Sequence, residues 1–305
     1  MTALARPLPP SPLPHTPERL LHRLEWRVIR RLDGLLQGDY RTLFYGPGLD
    51  FADLREYQAN DDVRHIDWNV TARLDVPYVR EYVEDRELTA WMLLDRSPSM
   101  SFGPEERPKG LVLAELVTTL ARLLTRRGNR IGAMLYTSQV DRTISPAGGR
   151  NQVLRLAHEL LQPPPRTRTA TDLGGLIFAS LNAIKRRSLI FLVSDFISEP
   201  GWERPLTLLA RRHDLVAVRL WDRREVELPD AGVMVMEDSE TGEQLFVDTS
   251  DAGLRRRFAA LARAREERLR SGFVKAGVEP FELGTDEDLA MALVRMAEQR
   301  KRRRR

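Results

Sequence analysis

Between Pro17 and about Leu36 the apolar residues Leu20, Leu21, Leu24, Val28, Leu32 and Leu35 recur at steps of three and four, which predicts an amphipathic helix. Residues 37–87 are denser in charge and aromatics, with turn signals at "GPG" and "NDD". They read as short strands and helical turns in a small module of their own. From Leu88 the pattern becomes strand, helix, strand. "LTAWMLLD" reads as a buried strand, and after a Gly/Pro loop Lys109–Arg127 carries an apolar helical face. "RIGAMLY" is a second strand, and "QVDRTIS", after only a short turn, an antiparallel edge strand. Helices follow at Arg150–Leu161 and Asp172–Ile184, separated by "PPPRTRT".

The remaining elements repeat the alternation. "SLIFLVSD" is a fourth strand, 200–212 a helix and "DLVAVRLWD" a fifth strand. "GVMVMEDSETGEQLFVD" reads as a hairpin turning at Thr241-Gly242. A charged helix covers about 251–275, "PFEL" is the last strand and 286–300 the last helix. This order predicts an α/β chain with a doubly wound, mostly parallel sheet and a small N-terminal module. The expected divisions are a disordered leader at 1–16, the N-terminal helix and module at 17–87, the sheet domain at 88–299 and a basic tail at 300–305.

Composition narrows the function classes. The apolar fraction is 42%, that of a globular protein. The runs Ala90–Leu94 and Leu189–Val193 have buried-strand length, far short of the ~20 residues of a membrane helix. The proline-rich N-terminus lacks the apolar core of a secretion signal, so a cytoplasmic location with no membrane attachment is expected. There is no cysteine, and the five histidines (15, 22, 65, 158 and 213) are scattered, which argues against zinc. Net charge is +4, and the final "RKRRRR" supplies six positives. Taking these six from +4 leaves the body at −2, so nucleic-acid binding is expected only through a solvated tail.

Candidate chemistry gathers at strand ends. In an open α/β sheet the ligand crevice lies beyond the carboxyl ends of the strands, where strand order reverses. The first strand ends at Asp95 and the fourth at Asp195, neighbours in the order 3-2-1-4-5-6. In "LLDRSPSM" (93–100), Ser97 and Ser99 follow Asp95 at steps of two. This is either a capped polar turn or a set of oxygens aimed at one point. With Thr171 from the loop before the fourth strand, the set is Asp95, Ser97, Ser99, Thr171 and Asp195. Oxygen-only ligands suit a hard divalent cation, Mg²⁺ first and Mn²⁺ or Ca²⁺ next. Such a cation would keep a position for a carboxylate from another protein.

"LLDRSPSM" resembles the metal-ion-dependent adhesion site of von Willebrand factor A domains, as do "TATDLGGLI" and "LVSDF" further on. The resemblance spans roughly 88–285. It implies a von Willebrand factor A/Rossmann-like fold, with Asp95, Ser97 and Ser99 as first-loop ligands, Thr171 in the second loop and Asp195 in the third. Lys109 and Ala114 fall where that family's first helix begins. Upstream, "GLDFADLREYQANDDVRHIDWNVTARLDVPYVREYVEDRE" resembles the signature of the family called domain of unknown function 58. The matching parts are Leu54–Tyr57, Asp61–Asp62, Arg64 to Trp68 and Ala72–Arg73, with Asn60 in place of the usual glycine and Thr71 in place of serine. That resemblance implies a partner, a MoxR-type AAA+ ATPase, and work in complex assembly or metal-centre maturation.

Within the signature, Asp61 or Asp62 can cap a turn over "DVRHIDW" with Val63, Ile66 and Trp68 buried. Arg55, Arg64, Asp67 and Arg73 form either a structural clamp of paired charges or a partner-facing surface. The expected function is a non-enzymatic, metal-dependent adaptor. The alternatives are a metal-dependent phosphohydrolase and nucleic-acid binding through the tail. Against the hydrolase, the chain has no Gly-x-Ser-x-Gly elbow and no phosphate loop, neither strand end carries Asp-x-Asp, and no histidine adjoins the crevice motifs.

Overall fold

The computed structural model describes residues 16–35, 54–58, 61, 63, 66–80, 88–165, 171–237 and 243–303. Its centre is a sheet of six strands: β3 (Thr89–Asp95), β4 (Arg130–Tyr136), β5 (Val140–Ala147), β6 (Leu189–Ser194), β7 (Asp214–Trp221) and β10 (Phe281–Gly284). They lie in the order β10-β7-β6-β3-β4-β5, parallel except for the antiparallel edge strand β5. Renumbered from the first strand of this sheet, that is the expected 3-2-1-4-5-6. The chain has a doubly wound, mainly parallel α/β fold, and strand order reverses between β3 and β6.

The strands read as continuous apolar runs because helices cover both faces. Alternate residues go to opposite sides. Ala90, Met92 and Leu94 of β3, with Leu189, Phe191 and Val193 of β6, face one core. Leu93, Ile190 and Leu192 face the other. The first core is closed by α4 (Lys109–Thr125), α5 (Gly149–Leu161) and α9 (Leu289–Arg303). The second is closed by α6 (Leu173–Ala183), α7 (Glu203–Arg212) and the end of α8 (Ala252–Ala276). There Phe196, Trp202 and Phe273 pack with ring centroids 4.7–5.5 Å apart.

Three findings revise the sequence reading. The N-terminal helix, expected to belong with the signature module, is built into the sheet body. It runs as α1 (Pro17–Leu24), a π-helical turn (Glu25–Ile29) and α2 (Arg30–Leu35), and Leu20, Leu21, Leu24, Val28, Ile29 and Leu32 join the first core. Ion pairs at its flanks fix it there: Arg23–Glu115 at 2.6 Å, Glu25–Arg122 at 2.8 Å and Arg31–Asp288 at 2.8 Å. Leu35, read as part of the apolar stripe, is 49% exposed, since the stripe ends one turn earlier.

The basic tail is also shorter than expected. Helix α9 continues to Arg303, and Arg300 is buried with its guanidinium 2.8 Å from Asp214. A helix continuing past 300 carries that side chain back onto the start of β7 instead of into solvent.

In the signature segment, Val63 and Trp68, expected to be buried, are 58% and 69% exposed. Asp61 Oδ2 accepts from Gln58 N at 2.8 Å, while Asp62 and most of the turn expected to follow it lie outside the described residues. Helix α3 (Trp68–Leu74) begins at the tryptophan, and Asp67 caps it, accepting from the main-chain N–H of Val70 at 3.3 Å. This places Trp68 in the first turn. Next to it β1 (Leu54–Glu56) and β2 (Tyr78–Arg80) pair antiparallel, and Thr71 Oγ1 accepts from Tyr78 N at 3.0 Å. The remaining pair, β8 (Val233–Glu237) and β9 (Gln244–Asp248), forms the expected hairpin. Its turn at Thr241-Gly242 lies outside the described residues. No described helix is long and apolar enough to cross a membrane.

Candidate functional site

The ends of β3 and β6 build the crevice. The last registered pair between them is Leu94 with Val193, so the next residues, Asp95 and Ser194, stand side by side. Ser194 Oγ donates to Asp95 Oδ2 at 2.6 Å and accepts from Phe196 N at 2.8 Å. The chain then turns sharply, with Phe196 in the left-handed region at φ 58°. That turn sends Asp195 to the neighbouring side of the crevice, where its Oδ1 accepts from Ile197 N at 2.9 Å.

The loop after β3 folds back on its own carboxylate. Ser97 N donates to Asp95 Oδ1 at 2.8 Å, and the Ser97 and Ser99 hydroxyls lie 3.0 Å apart. A 3₁₀ turn (Pro98–Ser101) holds this spacing, with Met100 N donating to Ser97 O at 3.0 Å. Proline opens the turn, where no main-chain N–H is needed. On the third side, Thr171 is buried, and its carbonyl accepts from Glu199 N at 2.9 Å and Ser198 Oγ at 2.8 Å. The Thr171 loop is thus stitched to the loop that follows Asp195. Asp172 then caps α6, accepting from Gly175 N at 3.0 Å.

Burial shapes the electrostatics. The Asp95 carboxyl is pushed up to about 6, first by its removal from water and then by the like charge of Asp195. Mutual repulsion places the two carboxylates in one field. Tyr136, at the end of β4, is pushed up to about 12 by burial and by Asp172, Asp95 and Asp141, while its hydroxyl donates to Ser138 O at 2.9 Å.

Sequence reasoning missed three residues here: Ser194, Lys109 and Glu225. Lys109 opens α4 and is completely buried, and its ammonium lies 2.7 Å from Asp195 Oδ2. It also binds a carboxylate oxygen of Glu225 at 2.5 Å. Burial alone would lower this lysine, but Asp195 and Glu225 outweigh it and hold it above its ordinary value. Glu225 is itself fixed in the turn after β7, where its second oxygen accepts from Asp222 N at 3.1 Å. A signal for Lys109 did exist. A cation in the first turn of a helix opposes the macrodipole, and this first turn holds no acid and no side-chain cap.

The oxygen donors Asp95, Ser97, Ser99 and Thr171 are of the type that hard divalent cations take. Asp195, grouped with them on sequence, is engaged by Lys109. Among the described residues no three His, Cys, Asp or Glu side chains gather as a metal cluster, so hydroxyls would have to complete any shell. The other residues singled out on sequence lie in the signature segment. Asp67 caps α3, Arg73 is exposed, Arg55 pairs in register with Val79, and Arg64 lies outside the described residues.

Comparison with known proteins agrees with the signature. Residues 53–268 match the family model described as a protein of unknown function, DUF58. Uncharacterized proteins of Mycobacterium tuberculosis and Mycobacterium bovis are each 35% identical over 288 residues, covering 92% of this chain and 89% of theirs. Among solved structures, the conserved hypothetical protein BatB from Bacteroides thetaiotaomicron is similar at a TM-score of 0.44 and 12% identity, over 70% of this chain and 99% of that one. The crevice at the end of β3, the α3 signature segment and the mycobacterial relatives all fall within one assignment: this chain belongs to the DUF58 family.

Proposed function

We propose that the chain is a non-enzymatic, metal-dependent protein-binding module that works with a MoxR-type AAA+ ATPase in complex assembly or maturation. The observation that carries this reading is the convergence of Asp95, Ser97 and Ser99, all buried, in the crevice where strand order reverses. This is the arrangement that the resemblance to a metal-ion-dependent adhesion site implies. Mg²⁺ held there by Asp95, Ser97, Ser99 and Thr171, with Mn²⁺ or Ca²⁺ as substitutes, would supply a coordination position for a partner's Asp or Glu.

The chain's own residues prepare that position. Ser194 and Ser97 N fix the two Asp95 oxygens, so the carboxylate cannot swing away. Ser198 fixes the Thr171 loop. Beside Ser97 a cavity of about 160 Å³, lined by Met100, Leu111, Leu113 and Leu160, gives room at the edge of the site. None of the described histidines stands at the crevice to serve a hydrolytic reaction as base. Of the described histidines, His213 accepts from Ser188 N at the opposite, amino-terminal end of β6 and β7, and His22 and His158 lie on α1 and α5.

The test is capture of the MoxR-type ATPase from the same cell on immobilised protein, in Mg²⁺ and in EDTA, with Asp95→Ala alongside. Capture by the wild type in Mg²⁺ alone supports the reading. Equal capture under all three conditions overturns the metal bridge, and no capture by folded protein overturns the partner.

A further inference from the structure

The cavity beside Ser97 adjoins the oxygen set, and its walls are of the opposite chemistry. It lies where the start of α4, the end of α5 and the 3₁₀ turn meet. Met100, Leu111 and Leu160 line it, and Ser97 belongs to both sites. The volume is about 160 Å³. An apolar space of about 150 Å³ admits benzene, so the side chain of Leu, Ile or Met fits. A carboxylate placed between Met100, Leu111 and Leu160 would lose its water and gain no partner there.

The rim is cationic. Arg96, between Asp95 and Ser97 in the chain, is half-buried in the lining, and its guanidinium donates to the carbonyl of the exposed Gln162. Asp141 and Glu159 favour its positive charge, but each is engaged elsewhere. Asp141 accepts from Thr137 Oγ1 at 3.0 Å, and Glu159 pairs with Arg142 at 2.9 Å. The charge of Arg96 is therefore open to an acidic segment that docks at the crevice.

We propose that this cavity is a specificity pocket: it takes an aliphatic side chain lying one or two positions from the partner's metal-bound carboxylate, and Arg96 at the rim draws the acidic segment in. The occupant is a partner segment that pairs Asp or Glu with Leu, Ile or Met. The inference rests on the metal reading of the same crevice. Ser97 sets the spacing, because a residue shared by both sites makes the acid and the aliphatic group near neighbours. One or two residues of extended chain span about 3.5–7 Å.

The probes are short fluorescent peptides with one Glu and with Gly, Leu or Phe one or two positions from it. They are titrated into the full chain in Mn²⁺ and in EDTA, and anisotropy reads the binding. In Mn²⁺ the Leu peptide should exceed the Gly peptide by at least about tenfold. Ala114→Leu, which fills the cavity from α4, should bring that ratio close to one and leave the Gly peptide's affinity in place. Leu160→Ala, which enlarges it from α5 and stands in should Ala114→Leu not fold, should move the preference from Leu to Phe. A wall that only packed α4 against α5 would shift all the peptides alike. Arg96→Gln should weaken the Leu and Gly peptides by the same factor. A Leu preference that vanishes on filling, or changes size on enlarging, supports the inference. A preference unmoved by either folded variant overturns it. Equal binding of the Leu and Gly peptides by wild type in Mn²⁺ overturns the pocket and keeps the metal bridge. A Leu preference undiminished in EDTA keeps the pocket and overturns the bridge. No binding by the folded protein in either condition overturns both.

Discussion

Ser194 Oγ lies 2.6 Å from Asp95 Oδ2, joining the last residue of β6 to the last residue of β3 across the point where the sheet reverses its winding. This hydroxyl serves two groups at once, since it also accepts from Phe196 N in the left-handed turn. Ser194→Ala leaves one buried carboxylate oxygen and one N–H without their partner. The expected cost is about 1–3 kcal/mol, read as a lower urea midpoint, and a change under a few tenths would show that the bond is not formed.

Asp95 makes the metal-free protein sensitive to pH. Its carboxyl is raised from 3.8 to about 6, by burial first and by Asp195 second. The folded chain therefore holds this proton more tightly than the unfolded chain does. The resulting stability is fully present below about pH 4 and is lost as pH rises through 6, by at most about 3 kcal/mol. In EDTA, Asp95→Asn should be more stable than wild type at pH 7.5, and the gap should close by pH 4. Urea midpoints at the two values check this, and a gap independent of pH contradicts it.

The N-terminal helix should behave as core. Leu32 is fully buried and Leu35 half-exposed on the same helix. Leu32→Ala should destabilise the sheet body by about 2–5 kcal/mol, and Leu35→Ala by under about 0.5 kcal/mol. If Leu32→Ala leaves the main unfolding transition in place, the helix is not part of that body.

At the other end, Arg300 and Arg302 separate structure from charge. Arg300 pairs with Asp214 at 2.8 Å, whereas Arg302 is exposed. Arg300→Ala should cost about 1–3 kcal/mol, because a charged hydrogen bond is lost in a partly buried place. Arg302→Ala should be neutral within about 0.5 kcal/mol. Thermal or urea denaturation of the two variants decides it.

Much of this arrangement was legible in the sequence. Continuous apolar runs at β3 and β6 predict strands buried on both faces, and the rule for strand order predicts Asp95 and Asp195 at one crevice. What remained hidden depends on reach and on partners. The stripe Leu20–Leu32 announces an apolar face but not what that face meets, so the helix was grouped with its neighbours in sequence and not with α4 and α5. Ser194 looked like the last residue of a strand, because nothing local says that β3 ends beside it. Lys109 reaches from α4 to β6 and to the turn after β7, over separations of 86 and 116 residues, beyond what pattern reading spans. Arg300 was hidden by its context in a run of like charges.

The central claim is that the oxygens of Asp95, Ser97 and Ser99 hold a single divalent cation. Calorimetric titration of Mg²⁺ and Mn²⁺ into metal-stripped wild type and Asp95→Ala tests it most directly, with far-ultraviolet circular dichroism to show that both are folded. The prediction is one ion per wild-type chain and none in Asp95→Ala. Wild type that takes up no ion, or an alanine variant that binds as well as wild type, contradicts it.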